Sequence, residues 1–355
     1  MTCVIDCRLI NASGIGVYIR GCLPFLLQSN NDFILIGNKE DLKKYLSNKN
    51  VVFIECNIKT FSLRELLFFP INIIKQINKA NLFFTPSFNI PSNIKIPVYT
   101  VFHDIIFADM PDITTTFGLK IRMFFYKRAY KKSVKIFTVS QFSKSRIERH
   151  FGNFKPVIVT YSAIQQMFLD YKASVLKIEK KETIIFIGNI KKHKGLSCLL
   201  EAFILLKKEG LPHRLIIIGS KDKFRSADSE IIKKIELITD DSVSFSGFIS
   251  DEKLMEYIAQ SSLLVQPSLY EGFCLPPLEA MALGTRALIS DIPVLKEIYS
   301  KYPVEYFSAG DIMDLKNKIS QILNEKNIQP VSLPKELALK YTFQKTASIL
   351  LNNFN

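Results

Sequence analysis

The amino-acid sequence predicts an α/β protein built from two doubly wound parallel sheets in series. Short apolar or β-branched runs alternate with stretches of helical length along the whole chain, the pattern left by βαβ units. The alternation is interrupted once, between Tyr161 and Glu182, where apolar periodicity fades and lysine and glutamate rise. Glycine-bearing and polar motifs fall directly after the strand-like runs, where open parallel sheets bind ligands.

Taken in order, the first half offers CVID, FILIG, VVFIE, LFFT, VYTVF, KIFTVS and VIVT as strands, and the second TIIFIG, RLIIIG, VSFSG, LLVQP and RALIS. The expected division is a first domain over 1–163, a second over 164–334 and a closing helix over 335–355 that packs back toward the first. That last stretch, LPKELALKYTFQKTASILLNNF, is too amphipathic for a loose tail. Two such sheets would face each other across a central cleft at the carboxyl ends of their strands.

With 355 residues, 48% of them hydrophobic, the chain has the material for a large core, which excludes a disordered protein. The longest apolar candidate for a membrane span, FSLRELLFFPINII, is broken by Arg64, Glu65 and Pro70. The opening MTCVIDCRLI reads as a strand, with Asp6 and Arg8 where a signal peptide would need its apolar core, so the expected location is the cytoplasm. Six cysteines and four histidines are scattered without C-x-x-C or H-x-x-x-H spacing, so neither a disulfide framework nor a metal site is expected.

Charge is unevenly divided. Residues 1–170 carry 22 Lys+Arg against 11 Asp+Glu, a net +11, whereas 171–355 carry 25 against 22, a net +3. The densest basic stretch, GLKIRMFFYKRAYKKSVK, interleaves Lys120, Arg122, Lys127, Arg128, Lys131, Lys132 and Lys135 with Met123, Phe124, Phe125 and Tyr126. It reads either as a core helix with a solvated lysine face or as a helix that adsorbs to an anionic membrane surface. Nucleic acid is not expected as a partner, because no reading motif accompanies the charge.

The motifs at the strand ends suggest a site for a phosphorylated sugar. Gly14 and Gly16 open the first helix, but Ile19 stands at the third position of G-x-G-x-x-G, which argues against a nicotinamide fold. After VYTVF come His103 and Asp104, an imidazole able to donate to a substrate hydroxyl and a carboxylate able to orient it, or else a structural pair. In VSQFSKS, Ser140 and Ser143 read as helix caps or cleft-lining hydroxyls. Lys191, Lys192, His193 and Lys194 cluster before a helix whose amino end carries partial positive charge, which suits a diphosphate. In SLYEGFCLPPLEAMALG, Glu271 lies in a loop beside the amides of Gly272, Phe273, Cys274 and Leu275. Pro276 and Pro277 then start a helix, with Glu279 in its first turn and Gly284 at its end.

These segments together resemble a glycosyltransferase of family four, of the GT-B fold with two Rossmann-like domains. The resemblance runs from SGIGVYIR through HD, VSQFSKS and GNIKKHKGL to the E-x7-E element and the closing helix, and is nearest to enzymes of bacterial surface polysaccharides, mannosyl and rhamnosyl transferases among them. It implies that Glu271 contacts donor-sugar hydroxyls, Glu279 the ribose hydroxyls, and Lys194 the leaving diphosphate. Asn189 stands where many members have an arginine, with Lys191 as the nearby replacement. His103 matches a residue near the transferred sugar, Gly16 the loop after the first strand, and Phe248 and Ile249 the backbone that reads the base. Ser162 and Ala163 replace an Asn-Gly at the start of the linker.

The resemblance further implies retention of anomeric configuration and no bound metal, consistent with the lack of a D-x-D triplet. The expectation is therefore a retaining transferase moving a hexose or deoxyhexose from a nucleoside diphosphate sugar to a glycan acceptor, lipid-linked and held at the inner face of the cytoplasmic membrane. A GT-B epimerase or phosphorylase and a non-catalytic basic binding protein are the rival readings.

Overall fold

The computed structural model describes residues 1–175, 178–219, 241–247, 249–325 and 331–354, with backbone only for 172–175. They form two compact units, Met1–Gln165 with Lys340–Asn355, and Gln166–Leu339.

Among the described residues the first unit contains β1 (Thr2–Asp6), β2 (Asp32–Gly37), β3 (Val51–Glu55), β4 (Leu82–Thr85), β5 (Val98–Phe102), β6 (Ser133–Thr138) and β7 (Val157–Val159). All pair in parallel, in the order β3-β2-β1-β4-β5-β6-β7. β4 and β5 are buried at every position, which is why LFFT and VYTVF read as continuous apolar runs rather than alternating ones. From β1 the chain winds outward to β3 and then returns to lay β4 on the other side of β1. The loops after β1 and β4 thus diverge at a switch point.

The second unit repeats this winding. β8 (Lys181–Ile187), β9 (Arg214–Ile218), β10 (Val243–Phe245), β11 (Ser261–Gln266), β12 (Arg286–Ser290) and β13 (Glu305–Phe307) lie parallel in the order β10-β9-β8-β11-β12-β13. Its switch point falls between β8 and β11, which pair through Leu263 with Ile184 and Leu264 with Ile185. Leu196, Leu199, Leu200 and Phe203 of the helix Leu196–Lys208 pack with Phe186, Ile217 and Val265 in the core beneath those loops.

Three features depart from the sequence expectation. β13, three residues at the sheet edge, is too short and too polar to register as a strand. The stretch read as a linker contains the helix Gln166–Val175, whose Phe168 is buried. The closing helix is two helices, Lys335–Lys340 and Phe343–Asn353, because the Thr342 side chain turns to accept from the Lys345 amide and starts a new one.

The segment Phe343–Asn353 packs within the first unit against the helix Ser13–Leu27. A Cβ on Gly21 would come within 2.3 Å of the Phe343 ring, so the missing side chain is what admits it. Phe354 then packs its ring on Phe84, Tyr99 and Phe137. Among the described residues no helix is long and apolar enough to cross a membrane.

Candidate functional site

The two loops at the second unit's switch point are locked together through backbone. After β8 the chain passes Gly188 and a single tight turn, Lys192–Lys194, before Gly195 at φ +70° starts the helix Leu196–Lys208. A Cβ on Gly195 would lie 1.8 Å from the carbonyl oxygen of Pro267, in the loop after β11, so only glycine permits this approach. Two residues earlier, the His193 carbonyl accepts a 2.7 Å hydrogen bond from the Leu269 amide.

That contact sets Lys194 against Glu271. The ammonium donates to both carboxylate oxygens, at 2.7 and 2.9 Å, with the carboxylate side chain only 9% exposed. Ser268 Oγ also donates to Glu271 Oε1, at 2.7 Å, and itself accepts from Gln266 Nε2 at 3.2 Å. Ser290 Oγ holds the Ser268 carbonyl. Gln266 Oε1 is buried without a hydrogen-bond partner. Glu271 is thus fixed by a charge in front and a hydroxyl behind before any ligand arrives. Next to this pair, His193 is pushed down to about 4, mainly by burial and then by Lys194, and is neutral at physiological pH.

From Glu271 the loop descends through Gly272, Phe273, Cys274 and Leu275 into the helix Pro276–Ala282, with proline at its start as expected. Cys274 is not a glycine yet sits at φ +77°, a costly conformation that its surroundings enforce. Its carbonyl accepts from the buried Tyr299 hydroxyl. Burial raises the Cys274 thiol well above its usual range, and the Glu271 and Glu279 carboxylates add to the shift, so this side chain lies near both.

Glu279, 7% exposed, accepts no hydrogen bond from a described residue. Burial pushes its carboxyl up to about 8, and the nearby Asp251 adds to the rise. Asp251 begins the helix Asp251–Gln260 two residues after Ile249, so the loop that follows β10 lies toward Glu279. Ile249 is half-buried in that loop, while Phe248 lies outside the described residues. Asn189 and Lys191 are exposed in the loop after β8.

Two other candidate residues belong to the first unit. His103, after β5, donates from Nε2 to the Pro86 carbonyl at 3.0 Å and packs edge-on against Tyr18. A carbonyl only accepts, so the proton resides on Nε2 and the lone pair on Nδ1. Burial pushes the imidazole down to about 4. The side chain is therefore placed to accept through Nδ1 rather than to donate. Asp104 does not orient it; Asp104 Oδ1 accepts from the Ile106 amide at 3.1 Å. Ser140 caps the helix Gln141–Phe151 by accepting from the Ser143 amide, and Ser143 Oγ donates to the His103 carbonyl. Gly16 is required by close approach, since a Cβ would meet the Ile10 carbonyl oxygen at 2.4 Å.

The structure thus gathers Lys194, Glu271, Cys274 and the neighbouring loop residues at one switch point and adds Ser268, Gln266 and Tyr299, which sequence reasoning missed. Gln266, a polar residue closing the apolar run LLVQ, was the one visible signal. Among the described residues no group of three or more His, Cys, Asp or Glu side chains is arranged to hold a metal.

Residues 168–338 match the family model described as glycosyl transferases group 1. O-antigen chain mannosyltransferase B of Escherichia coli is 29% identical over 235 residues, covering 62% of this chain and 59% of that protein. A Campylobacter jejuni relative, N,N'-diacetylbacillosaminyl-diphospho-undecaprenol alpha-1,3-N-acetylgalactosaminyltransferase, is 27% identical over 155 residues, covering 43% of this chain and 39% of that protein. The chain therefore spans less than two thirds of either relative. The Anabaena protein HepE, solved in complex with UDP-glucose, superposes with a TM-score of 0.73 at 14% identity, covering 99% of this chain and 98% of that one. The fold of two Rossmann-like units is thus shared along the whole chain.

Proposed function

We propose that this chain, whose residues 168–338 match the family model described as glycosyl transferases group 1, is a glycosyltransferase of bacterial surface-polysaccharide biosynthesis, acting on a nucleoside diphosphate sugar. The observation that carries the reading is the pairing of Lys194 with Glu271 at the switch point between β8 and β11, with the second carboxylate, Glu279, at the start of the next helix. A site for a nucleotide sugar needs a fixed cation for the diphosphate and separate acceptors for the hydroxyls of two sugar rings. Lys194, Glu271 and Glu279 supply them in that order.

Binding proceeds by exchange. Lys194 is already aimed by Glu271, so a diphosphate that arrives shares a preorganised ammonium, and the charge that develops as it leaves meets a group needing no reorientation. Glu271, relieved of part of the lysine, turns its acceptor capacity to the hydroxyls of the transferred sugar. Ser268 keeps the carboxylate in place during the exchange. Glu279 accepts the ribose hydroxyls, and Ile249 borders the base. Asn189 and Lys191 border the diphosphate where an arginine would otherwise serve. In the first unit, His103 Nδ1 is the acceptor offered to the hexose or deoxyhexose, and Gly16 keeps the helix Ser13–Leu27 close against the Ile10 carbonyl.

The proposed reaction retains the anomeric configuration, needs no metal, and delivers the sugar to a glycan acceptor carried on a polyprenyl diphosphate. The name of the Campylobacter relative, which includes a diphospho-undecaprenol acceptor, supports that choice. The setting is the cytoplasmic face of the membrane, with the basic first unit toward anionic lipid. A panel of nucleoside diphosphate sugars tests the donor, since a ligand at about 100 times its dissociation constant adds about 2.7 kcal/mol to the folded state. The matching donor is then offered with lipid-linked acceptor to the native chain and to Glu271→Ala. Equal transfer by a folded Glu271→Ala protein refutes the reading.

A further inference from the structure

The segment FSLRELLFFPINII is too interrupted to span a membrane, and its placement gives it another use. Leu63, Leu67, Phe68 and Ile71 are 73, 59, 72 and 62% exposed, an unusual concentration of large apolar side chains on one short strap. The strap is not loose. Between the outward residues, Glu65 turns inward, 1% exposed, and receives Arg8 and Asn89 on one oxygen and the Phe61 amide on the other. This buried carboxylate fastens the short helix Leu63–Leu67 to the end of β1 while its apolar side chains project.

The basic helix Thr116–Lys132 adjoins the same underlay. Phe61 meets Phe88 at 5.0 Å and Phe125 at 5.9 Å, and Phe88 meets Tyr126 at 4.5 Å. Arg122 and Arg128 turn inward, the first over the Phe107 ring and the second onto the Ile90 and Pro91 carbonyls. Phe117, Lys120, Phe124, Lys127 and Lys131 are exposed at spacings of three or four and so share a face, with the exposed Ile121 beside them; Phe117 and Phe124 are 73 and 51% exposed. This face mixes apolar with basic side chains rather than presenting lysines alone.

We infer that the strap 61–71 and the outer face of helix Thr116–Lys132 form one surface that inserts apolar side chains into an anionic bilayer, beyond simple electrostatic adsorption. The inference rests on the membrane-facing part of the proposed function. A second copy is a poor occupant, because it would set lysines against lysines. A bilayer with anionic headgroups meets both demands, receiving the aromatic and aliphatic side chains below the headgroups and the ammonium groups among them. It also requires no matching shape, which suits side chains that project singly.

The chain contains no tryptophan, so Phe68→Trp provides a unique reporter. Its fluorescence is followed with vesicles of phosphatidylglycerol and phosphatidylcholine in the absence of donor and acceptor, so that the outcome is independent of glycosyl transfer. Insertion shifts the emission to the blue and makes it quenchable by brominated acyl chains. The same substitution at Met313, exposed in the second unit, stays unshifted. Flotation of the native chain persists in part at high salt, where the screening length falls to about 3 Å. Leu67→Asp with Phe68→Asp lowers vesicle partitioning at least about tenfold while the melting temperature holds. Binding that salt abolishes entirely, with the aspartate variant unaffected, overturns insertion and leaves adsorption alone. No vesicle binding under any condition, or a loss of self-association in the aspartate variant instead, overturns the inference whether or not the chain transfers sugar.

Discussion

Lys194 Nζ stands 2.7 and 2.9 Å from the two carboxylate oxygens of Glu271, joining the loop after β8 to the loop after β11 with a single ammonium. Because the carboxylate is largely buried, removing the lysine strands a charge. Lys194→Ala and Glu271→Ala each cost about 1–3 kcal/mol of stability. The double variant loses less than the sum by about 1–3 kcal/mol. Each single change also slows transfer on the order of 100- to 1,000-fold if the pair serves the departing diphosphate. Urea unfolding of the four proteins of the cycle checks the first part, and strictly additive losses would show that the two groups do not interact.

Gly195 makes that pairing possible. Alanine there would place a methyl 1.8 Å from the Pro267 carbonyl and hold an L-residue at φ +70°, so the two loops must separate. Gly195→Ala is expected to lose at least about 2 kcal/mol and most of its donor affinity. Gly14, with nothing within 4 Å of its Cβ position and a place in the helix Ser13–Leu27, gives the contrast: Gly14→Ala is neutral or stabilises by up to about 1 kcal/mol. Calorimetry of both variants, with and without a nucleoside diphosphate, decides the matter.

Much of this architecture is legible because parallel strands buried on both faces, β4 and β5 above all, leave unbroken apolar runs, and among the described residues twelve of thirteen strands fall on the short runs the sequence offers, although β3 and β10 are only partly buried. β13 does not, since an edge strand of three residues needs no such run. Glu271, Glu279 and Lys194 stood out by their place after strands and before helices. What could not be read was which way side chains turn. His103 reads as a donor beside Asp104, but its proton goes to a carbonyl 17 residues earlier, and Asp104 accepts from the Ile106 amide instead. Ser268, Gln266 and Tyr299 act through contacts that no spacing rule encodes. The sequence of the apolar strap 61–71 shows only that it cannot span a membrane, because exposure of Leu63 and Phe68 depends on the buried Glu65 that fixes which face turns out.

Burial raises the Glu279 carboxyl to about 8, against 4.5 for an unburied one. Between those values the folded chain keeps a proton that the unfolded chain has released, so stability falls as pH rises, by at most about 1.4 kcal/mol per unit. Glu279→Gln removes this slope, and Asp251→Asn, which deletes the neighbouring charge, shortens the window from its upper end. Unfolding free energies measured across the window for the three proteins test the assignment. A native slope that survives in Glu279→Gln would place the titrating group elsewhere.

His103 has the opposite linkage. Its imidazole is lowered from 6.5 to about 4, so as pH falls through that interval the unfolded chain takes up a proton that the folded chain refuses, and stability declines toward acid. The same neutrality means that His103 contributes no limb near 6.5 to the pH dependence of transfer. It keeps Nδ1 as an acceptor throughout the physiological range. His103→Phe preserves a ring against Tyr18 but strands the Pro86 carbonyl and deletes the acceptor. It costs about 1–2 kcal/mol of stability and about 100-fold in transfer, with an unchanged pH profile above about 6. Imidazole titration by NMR gives the direct reading, and a His103 midpoint near 6.5 would overturn both its buried neutrality and its assigned role as an acceptor.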